Sequence, residues 1–226
     1  MPMQPQNKLM PLGLLGGTFD PVHFGHLRLA EEAREALDLP RILWIPSGQP
    51  PHRKQPRASA ADRLAMVRLG IADNPHFVLD DAEVDAGTPS YTVPTLERLR
   101  ASHGQRPLVL LLGSDAFLGL PTWHRWRELL GLAHIAVATR PGFELAGADM
   151  APALAAEFAP RLGHDPADLK AAPAGRIVPF AMTPLSISAS LIRARLAAGL
   201  SVRYLIPAPV REYIDRQHLY RTADGR

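Results

Sequence analysis

Short apolar runs alternate with amphipathic stretches along most of the chain, and this alternation constrains the fold more than any other feature. The first run, Leu9 to Leu15, ends at Gly16-Gly17 and is typical of a buried strand. From His26 to Leu39 apolar residues recur at three- and four-residue spacing, which predicts an amphipathic helix stopped by Pro40. Further strands are predicted at 42–45, 77–79, 108–112, 135–138 and 177–180, and further helices at 60–71, 92–101, 126–130, 188–198 and 209–217.

This order of elements predicts an α/β fold, a Rossmann-like doubly wound parallel sheet with helices on both faces, formed by residues 1–226 as a single domain. Ligands of such sheets bind at the carboxyl ends of the strands, near the point where the strand order reverses. Residues 1–8 are polar and contain proline, so we expect a disordered tail there. For residues 143–175, which have few large apolar side chains, we expect a helical excursion and a loop.

Composition limits the classes of function. The chain has no cysteine, which excludes disulfides and thiolate metal sites. Its formal net charge is only +3, and no long run of Lys and Arg indicates a nucleic-acid partner. No apolar stretch approaches the roughly 18–20 residues that a membrane span needs, and residues 1–10 lack the apolar core of a signal peptide. We therefore expect a cytoplasmic protein without membrane or nucleic-acid partners, while its oligomeric state stays open.

The segment from Gly16 to His26, GGTFDPVHFGH, lies between the first strand and the first helix. Gly16 and Gly17 let a ligand approach the backbone, and free amides at the helix start favour an anion. His23 and His26 are three residues apart, so both rings can point to the same side and donate hydrogen bonds to phosphate. The pattern differs from the dinucleotide and ATPase phosphate loops. A zinc pair and a simple pair of capping histidines are the alternatives.

The longer string Gly-Gly-Thr-Phe-Asp-Pro-Val-His-x-Gly-His resembles bacterial nicotinate-nucleotide adenylyltransferase, within the His-x-Gly-His nucleotidyltransferase superfamily. The resemblance runs from about residue 10 to 220, with its motifs in family order. The further motifs are Pro50-Pro51-His52, Ser90-Tyr91-Thr92, Gly113-Ser114-Asp115, Pro121-Thr122-Trp123, Arg140-Pro141-Gly142 and Ile187-Ser188-Ala189-Ser190-Leu191-Ile192-Arg193. Four positions depart from the family: Ser190 replaces Thr, Ala189 replaces a commonly hydroxylated residue, Arg53 precedes Lys54 where the family has Lys, and Ser47 stands where relatives often carry Asn or Ala.

The resemblance implies transfer of the adenylyl group of ATP to nicotinate mononucleotide, giving nicotinate adenine dinucleotide and pyrophosphate in NAD biosynthesis. Mg²⁺ is expected with ATP, because ATP chemistry normally uses this ion to bridge phosphate oxygens, and no side chain is assigned as its ligand. The expected catalytic residues are His23, His26 and Arg193. The expected ATP-binding residues are Gly16, Gly17, Thr18, Phe19, His23, His26, Ile187, Ser188 and Arg193, although the Phe19 ring could equally belong to the core.

The expected acceptor-binding residues are Tyr91, Thr92, Asp115, Trp123 and Arg140. A flat tryptophan face suits a pyridine ring, and amides at the helix start around Tyr91 and Thr92 suit a carboxylate, which favours nicotinate over nicotinamide. Arg140 follows a strand and suits the phosphate of the mononucleotide, with a surface ion pair as the alternative. Asp115 either orients the acceptor or caps the next helix.

Adenylyl transfer requires the attacking phosphate in line with the α-phosphorus and stabilised charge on the leaving pyrophosphate, so donors and cations are expected and no nucleophilic side chain. Three other functions are compatible with parts of the sequence. They are a sister transferase acting on another acceptor such as nicotinamide mononucleotide or phosphopantetheine, a nucleotide-binding module without turnover, and an RNA-binding protein.

Overall fold

A computed structural model describes residues 10–51, 55–140, 145 and 150–221 of the chain. The predicted tail at residues 1–8 lies outside the described residues. So do the sequence-motif residues His52, Arg53, Lys54, Pro141 and Gly142.

The described residues form one six-stranded, fully parallel sheet with the strand order β3-β2-β1-β4-β5-β6. The sheet and its crossover helices confirm the predicted doubly wound α/β fold. All six strands lie where the sequence predicted them, to within a few residues at the ends. The strands are β1 Leu12–Gly17, β2 Ile42–Pro46, β3 Phe77–Leu79, β4 Leu108–Gly113, β5 His134–Thr139 and β6 Ile177–Ala181.

Nine α-helices connect and follow these strands in the described part of the chain. Five of them were predicted by position, and the helix at 152–158 lies within 143–175, where a helical excursion was expected. The short helices at 82–85 and 114–118 were missed, and the predicted 126–130 helix is a 3₁₀ turn at 126–128 that leads into a helix at 129–132. The helices are α1 Phe24–Ala36, α2 Ala60–Ile71, α3 Ala82–Asp85, α4 Thr92–His103, α5 Ser114–Leu118, α6 Leu129–Leu132, α7 Pro152–Phe158, α8 Ala189–Ala197 and α9 Ala208–Arg216.

Helix α1 ends earlier than the sequence predicted, and Pro40 is not the cause. The last helical residue is Ala36, and Asp38 adopts the left-handed conformation with φ of 49°. The Leu39 N–H then donates to the Arg34 carbonyl at 2.9 Å, which closes a Schellman-type cap. The predicted end at Leu39 is therefore wrong, because the left-handed residue is an aspartate and carries no glycine signal.

Alternate side chains of each central strand enter two different cores. In β4, Val109 and Leu111 join α1, α2, α8 and α9 on one face of the sheet. On the other face Leu108, Leu110 and Leu112 pack with α4 to α7. This two-sided burial explains why the strand sequences are almost wholly apolar. No helix among the described residues is long and apolar enough to cross a membrane.

The last helix, α9, packs in the core on the face of the sheet that carries α1 and α2. Ile214 on α9 is fully buried, and the Tyr213 hydroxyl donates to Asp62 Oδ1 on α2 at 2.9 Å. Because α9 packs directly against α2, the end of the chain stabilises the same face of the sheet that carries α1.

Replacing Ile214 by Ala should lower the free energy of unfolding by about 2–5 kcal/mol, because it leaves a cavity between α9 and the sheet. Urea denaturation followed by circular dichroism measures this change. Leu200→Ala is the control, since Leu200 is 52% exposed and its loss should cost less than about 0.5 kcal/mol. Equal effects of the two substitutions would show that α9 does not contribute to the core.

Candidate active site

The strand order reverses at β1, which pairs with β2 on one side and with β4 on the other. Gly16 and Gly17 end β1 at this switch point, where ligands of doubly wound sheets bind. A methyl group added to Gly16 would meet no atom within 4 Å, so open space lies above it. At Gly17 the same methyl group would lie 2.9 Å from the Phe19 ring.

Phe19 is a predicted ATP-binding residue whose ring belongs to the core. The residue adopts φ of 49° and is buried. Its ring meets the His26 ring edge-on at 5.0 Å between centroids and contacts Trp44 at 5.4 Å. Only the Phe19 backbone can therefore face a ligand, while its side chain packs against the His26 ring.

His23 and His26 lie together at the start of α1, as their spacing predicted. Their rings stack with centroids 3.7 Å apart at an angle of 25°. The His23 backbone N–H donates to His26 Nδ1 at 3.3 Å, so the neutral His26 ring carries its proton on Nε2. A methyl group on Gly25 would lie 3.0 Å from the His23 ring, so any larger residue here would push that ring out of its place.

Burial changes the protonation of His23. The residue is 6% exposed, and desolvation lowers the pKa of its imidazole from 6.5 to about 4. Its Nδ1 is buried and has no hydrogen-bond partner among the described residues. The ring is therefore neutral at pH 7, and an anion placed beside it would favour the charged form.

Asp20 joins the turn after β1 to two other parts of the chain. Its buried carboxylate accepts hydrogen bonds from the backbone N–H groups of Arg57 and Ala58, at 2.9 and 3.1 Å, and from the Tyr220 hydroxyl at 2.7 Å. The peptide bond between Asp20 and Pro21 is cis. These donors satisfy the carboxylate within the protein, so it is not a ready ligand for a metal ion.

The start of α8 lies close to the start of α1. Ser188 is the N-cap of α8, as predicted, and its hydroxyl accepts the Leu191 N–H at 3.1 Å. One turn further on, Arg193 Nη1 donates to the Asp20 carbonyl at 2.6 Å. The predicted phosphate-binding arginine therefore lies beside the turn that carries the two histidines.

The described residues do not form a metal centre. Across 10–51, 55–140, 145 and 150–221, no group of three or more His, Asp or Glu side chains is arranged to hold a metal ion. A zinc site at the histidine pair would need further ligands, and the described residues supply no such ligand set there.

A buried arginine on α2 links the ends of β1 and β2. The Arg63 guanidinium, 1% exposed, donates to the carbonyls of Thr18, Ser47 and Gly48 at 2.8, 2.6 and 2.8 Å. Burial lowers the pKa of this guanidinium and the nearby Asp20 charge raises it, yet an arginine stays charged at neutral pH. The cation thus fixes the turn after β1 to the turn after β2.

Ser90 holds the same turn from the opposite side. Its hydroxyl oxygen accepts the N–H groups of Gly48 and Gln49 at 2.9 and 3.2 Å. Burial raises the pKa of the Glu83 carboxyl beneath it, against the opposing effect of hydrogen bonds from Thr95 and Ser90. A methyl group on Gly48 would lie 2.2 Å from the Glu83 carbonyl, so the close approach requires glycine.

Three motifs that are distant in sequence line one small cavity of about 160 Å³. Tyr91 is the N-cap of α4, and its ring packs against the His124 ring at 4.6 Å between centroids. Of the predicted acceptor-binding residues, Tyr91, Thr92 and Trp123 meet here. The lining residues are Pro50, Pro51, Ser90, Tyr91, Thr92, Trp123 and His124.

Asp115 and Arg140 do not line this cavity. Both are exposed and follow neighbouring strands, β4 and β5, so they lie along the same carboxyl edge of the sheet. A larger cavity of about 420 Å³ between α1 and α2 contains none of the predicted site residues. Its lining is Phe24, Leu27, Arg28, Glu31, Gly70, Asp73, Asn74, Phe77 and Leu185.

Sequence reasoning missed Arg63, Tyr220 and His124. Arg63 did leave a signal, because it shares the three- and four-residue spacing of the buried Met66, Val67 and Gly70 on α2. A charged residue on the apolar face of a helix needs buried partners. Tyr220 follows the last helix and left no periodic signal.

The sequence profile of the cytidylyltransferase-like family matches residues 14–195. A probable nicotinate-nucleotide adenylyltransferase of Dechloromonas aromatica (strain RCB) is 58% identical over 214 residues, covering 94% of this chain and 99% of that protein. One of Halorhodospira halophila is 52% identical, covering 91% of this chain and 93% of the relative.

Solved structures show the same fold. The nicotinic acid mononucleotide adenylyltransferase of Plasmodium falciparum complexed with NaAD superposes with a TM-score of 0.71 at 16% identity, covering 93% of this chain and 97% of that chain. The same enzyme complexed with APC gives a TM-score of 0.67. At this identity the likeness concerns the fold alone.

The buried, neutral His23 should make stability fall as the solution becomes acidic. Its pKa is lower in the folded chain, about 4, than the ordinary 6.5 of the unfolded chain, so below pH 6.5 the unfolded state binds more protons. Between pH 7 and pH 5 this group alone should cost roughly 2 kcal/mol. Urea denaturation at both pH values, compared with His23→Gln, measures the difference. An equal pH dependence in the variant would contradict the shifted pKa.

Arg63→Lys should lower the free energy of unfolding by about 1–3 kcal/mol, because one ammonium group cannot reach three carbonyls in the geometry of the guanidinium fork. Arg68→Lys on the same helix is the matched control, since the Arg68 side chain is 63% exposed. Thermal or urea denaturation of both variants decides the matter. No difference between the two variants would mean that the buried contacts of Arg63 contribute little to the free energy of unfolding.

Proposed function

Because the chain belongs to the nicotinate-nucleotide adenylyltransferases of the cytidylyltransferase-like family, we propose that it transfers the adenylyl group of ATP to nicotinate mononucleotide. A phosphate oxygen of nicotinate mononucleotide attacks the α-phosphorus of ATP. The bond from that phosphorus to the bridging oxygen breaks, and pyrophosphate leaves. The product, nicotinate adenine dinucleotide, serves NAD biosynthesis.

One observation of this structure carries the assignment of the triphosphate site. The stacked pair His23 and His26, the N-terminus of α8 at Ser188, and Arg193 converge beside the open end of β1. Helix N-termini and a guanidinium are suited to oxygen anions, and imidazole N–H groups donate to them. We assign Gly16, Gly17, Thr18 and the Phe19 backbone to the adenylyl side, with Ile187 and Ser188 at the opposite wall.

The two histidines act as donors that gain strength as charge develops on the leaving pyrophosphate. His23 is neutral in the free protein because it is buried, so no unpaired charge is stored there. Triphosphate oxygens reverse this balance and favour the protonated ring. Arg193 supplies a permanent positive charge at the same place.

The cavity around Tyr91, Thr92 and Trp123 is the proposed acceptor site. Trp123 offers a flat face for the pyridine ring. The first amides of α4 belong to Thr92 and Val93, since Pro94 has no N–H, and they favour the carboxylate of nicotinate. Arg140 and Asp115, on the same sheet edge, are proposed to contact the ribose phosphate of the acceptor.

Magnesium enters this proposal as part of the Mg–ATP substrate. The described residues do not fit a resident ion, because Asp20 beside the histidines already accepts from two amides and a phenol. Phosphate oxygens and water are then the ligands of the ion.

The function is tested by incubating the protein with Mg–ATP and either nicotinate or nicotinamide mononucleotide, following dinucleotide and pyrophosphate together. Formation of nicotinate adenine dinucleotide with matching pyrophosphate is expected. No product with the nicotinate form would refute the proposal, and a strong preference for the nicotinamide form would refute the assigned acceptor.

His26→Ala should lower kcat by about 10²–10³ while leaving the fold intact, as expected for the loss of a donor that stabilises the transition state. Steady-state rates and circular dichroism spectra of the variant provide the comparison. His76→Ala is a matched control, because His76 is exposed and lies at the start of β3, away from the carboxyl edge of the sheet. An unchanged kcat in His26→Ala would remove His26 from the mechanism.

A further inference from the structure

We propose that Tyr220 is a positioning residue for the phosphate-binding arginine, and this rests on the adenylyl-transfer function proposed above. The Tyr220 hydroxyl donates to Asp20 Oδ1 at 2.7 Å, across 200 positions of the sequence. Asp20 in turn accepts a hydrogen bond from Arg193 at its backbone carbonyl. Tyr220 thus acts on the triphosphate through Asp20 and Arg193, and it touches no substrate itself.

The conformation of Tyr220 indicates that its contacts hold it in place. Its φ is 65°, in the left-handed region that side chains other than glycine rarely adopt. Burial raises the pKa of its phenol, and the charge of Asp20 raises it further. The hydroxyl therefore stays protonated at neutral pH and donates to the carboxylate.

The carboxylate of Asp20 is held by three neutral donors. Oδ2 accepts from the Arg57 N–H, while Oδ1 accepts from the Ala58 N–H and from the Tyr220 hydroxyl. Two of these donors are backbone N–H groups of one loop, which no substitution other than to proline removes. The phenol is therefore the one side-chain donor within hydrogen-bond distance of this carboxylate in the described part of the chain.

Arg193 lies close to this carboxylate without being captured by it. Its Nη1 is 3.7 Å from Asp20 Oδ2, beyond hydrogen-bond distance, but 2.6 Å from the Asp20 carbonyl. Its Nη2 donates to Ser190 at 3.2 Å. A carboxylate free to rotate would pair with both arms of a neighbouring guanidinium. Tyr220 and the two amides together hold the carboxylate out of that pairing, so the charge of Arg193 stays available to phosphate.

Tyr220→Phe removes only the hydroxyl and tests this role. With only the two amides left to hold it, the carboxylate should turn toward Arg193, so kcat/KM for ATP should fall about tenfold, which is the effect of one charge-assisted hydrogen bond. The change should lie mainly in the KM for ATP. The KM for nicotinate mononucleotide should change by less than about twofold, because the acceptor cavity is built from other segments.

Tyr213→Phe is the matched control. It also removes a phenol that donates to an aspartate, Asp62, and it lies near the same end of the chain, but its bond joins α9 to α2. Its KM for ATP should match the wild-type value. If both variants raised the KM for ATP equally, the effect would be a general loosening of the chain end and the proposal would be wrong.

A double-mutant cycle with Arg193→Ala separates positioning from support of the fold. In that background Tyr220→Phe should lower kcat/KM for ATP no further, since the residue it acts through is gone. Additive losses would overturn the proposal. Calorimetric titration with Mg–ATP gives a reading independent of turnover: weaker binding to Tyr220→Phe supports the role even in a protein that makes no dinucleotide, and equal binding refutes it.

Discussion

The buried Arg63 guanidinium is the interaction on which the geometry of the site depends. A charge this deep in the protein is costly unless its donors find acceptors, and no described carboxylate lies within ion-pair distance of it. Carbonyls of Thr18, Ser47 and Gly48 provide acceptors for both Nη nitrogens, while the buried Nε has no partner among the described residues. The loops that follow β1 and β2 must therefore both fold around the Arg63 guanidinium.

The consequence is a rigid link between the two halves of the proposed site. Each peptide unit has its C=O and N–H on opposite sides, so carbonyls that face Arg63 direct the next amides away from it. For Gly48 and Gln49 those amides meet Ser90, which begins the acceptor motif. Adenylyl transfer depends on in-line placement of the two substrates. The hydrogen bonds of Arg63 and Ser90 to the turns after β1 and β2 fix the separation of the two proposed substrate sites. The proposed ATP and acceptor sites are thus parts of one hydrogen-bonded unit.

Much of the fold could be predicted from the sequence, because its periodicities are local. Helix α2 and strand β3 were predicted with their observed bounds, and the parallel sheet followed from the alternation. The predicted end of α1 was wrong because the residue that ends the helix in the left-handed conformation is an aspartate, Asp38, and not the glycine that usually marks a helix end. The histidine pair was placed correctly because a glycine turn between a strand and a helix leaves few geometries. Tyr220 could not be found, since its partner lies 200 residues away and only the folded chain joins them.

The central claim is that His23 and His26 meet the triphosphate, and imidazole nitrogen NMR tests it most directly. Spectra of the protein at pH 6 are compared with and without a saturating, non-hydrolysable Mg–ATP analogue. Both rings should change their nitrogen shifts, and His23, neutral when free because its pKa is about 4, should take up a proton on binding. Unchanged resonances of both histidines in the saturated complex would contradict it.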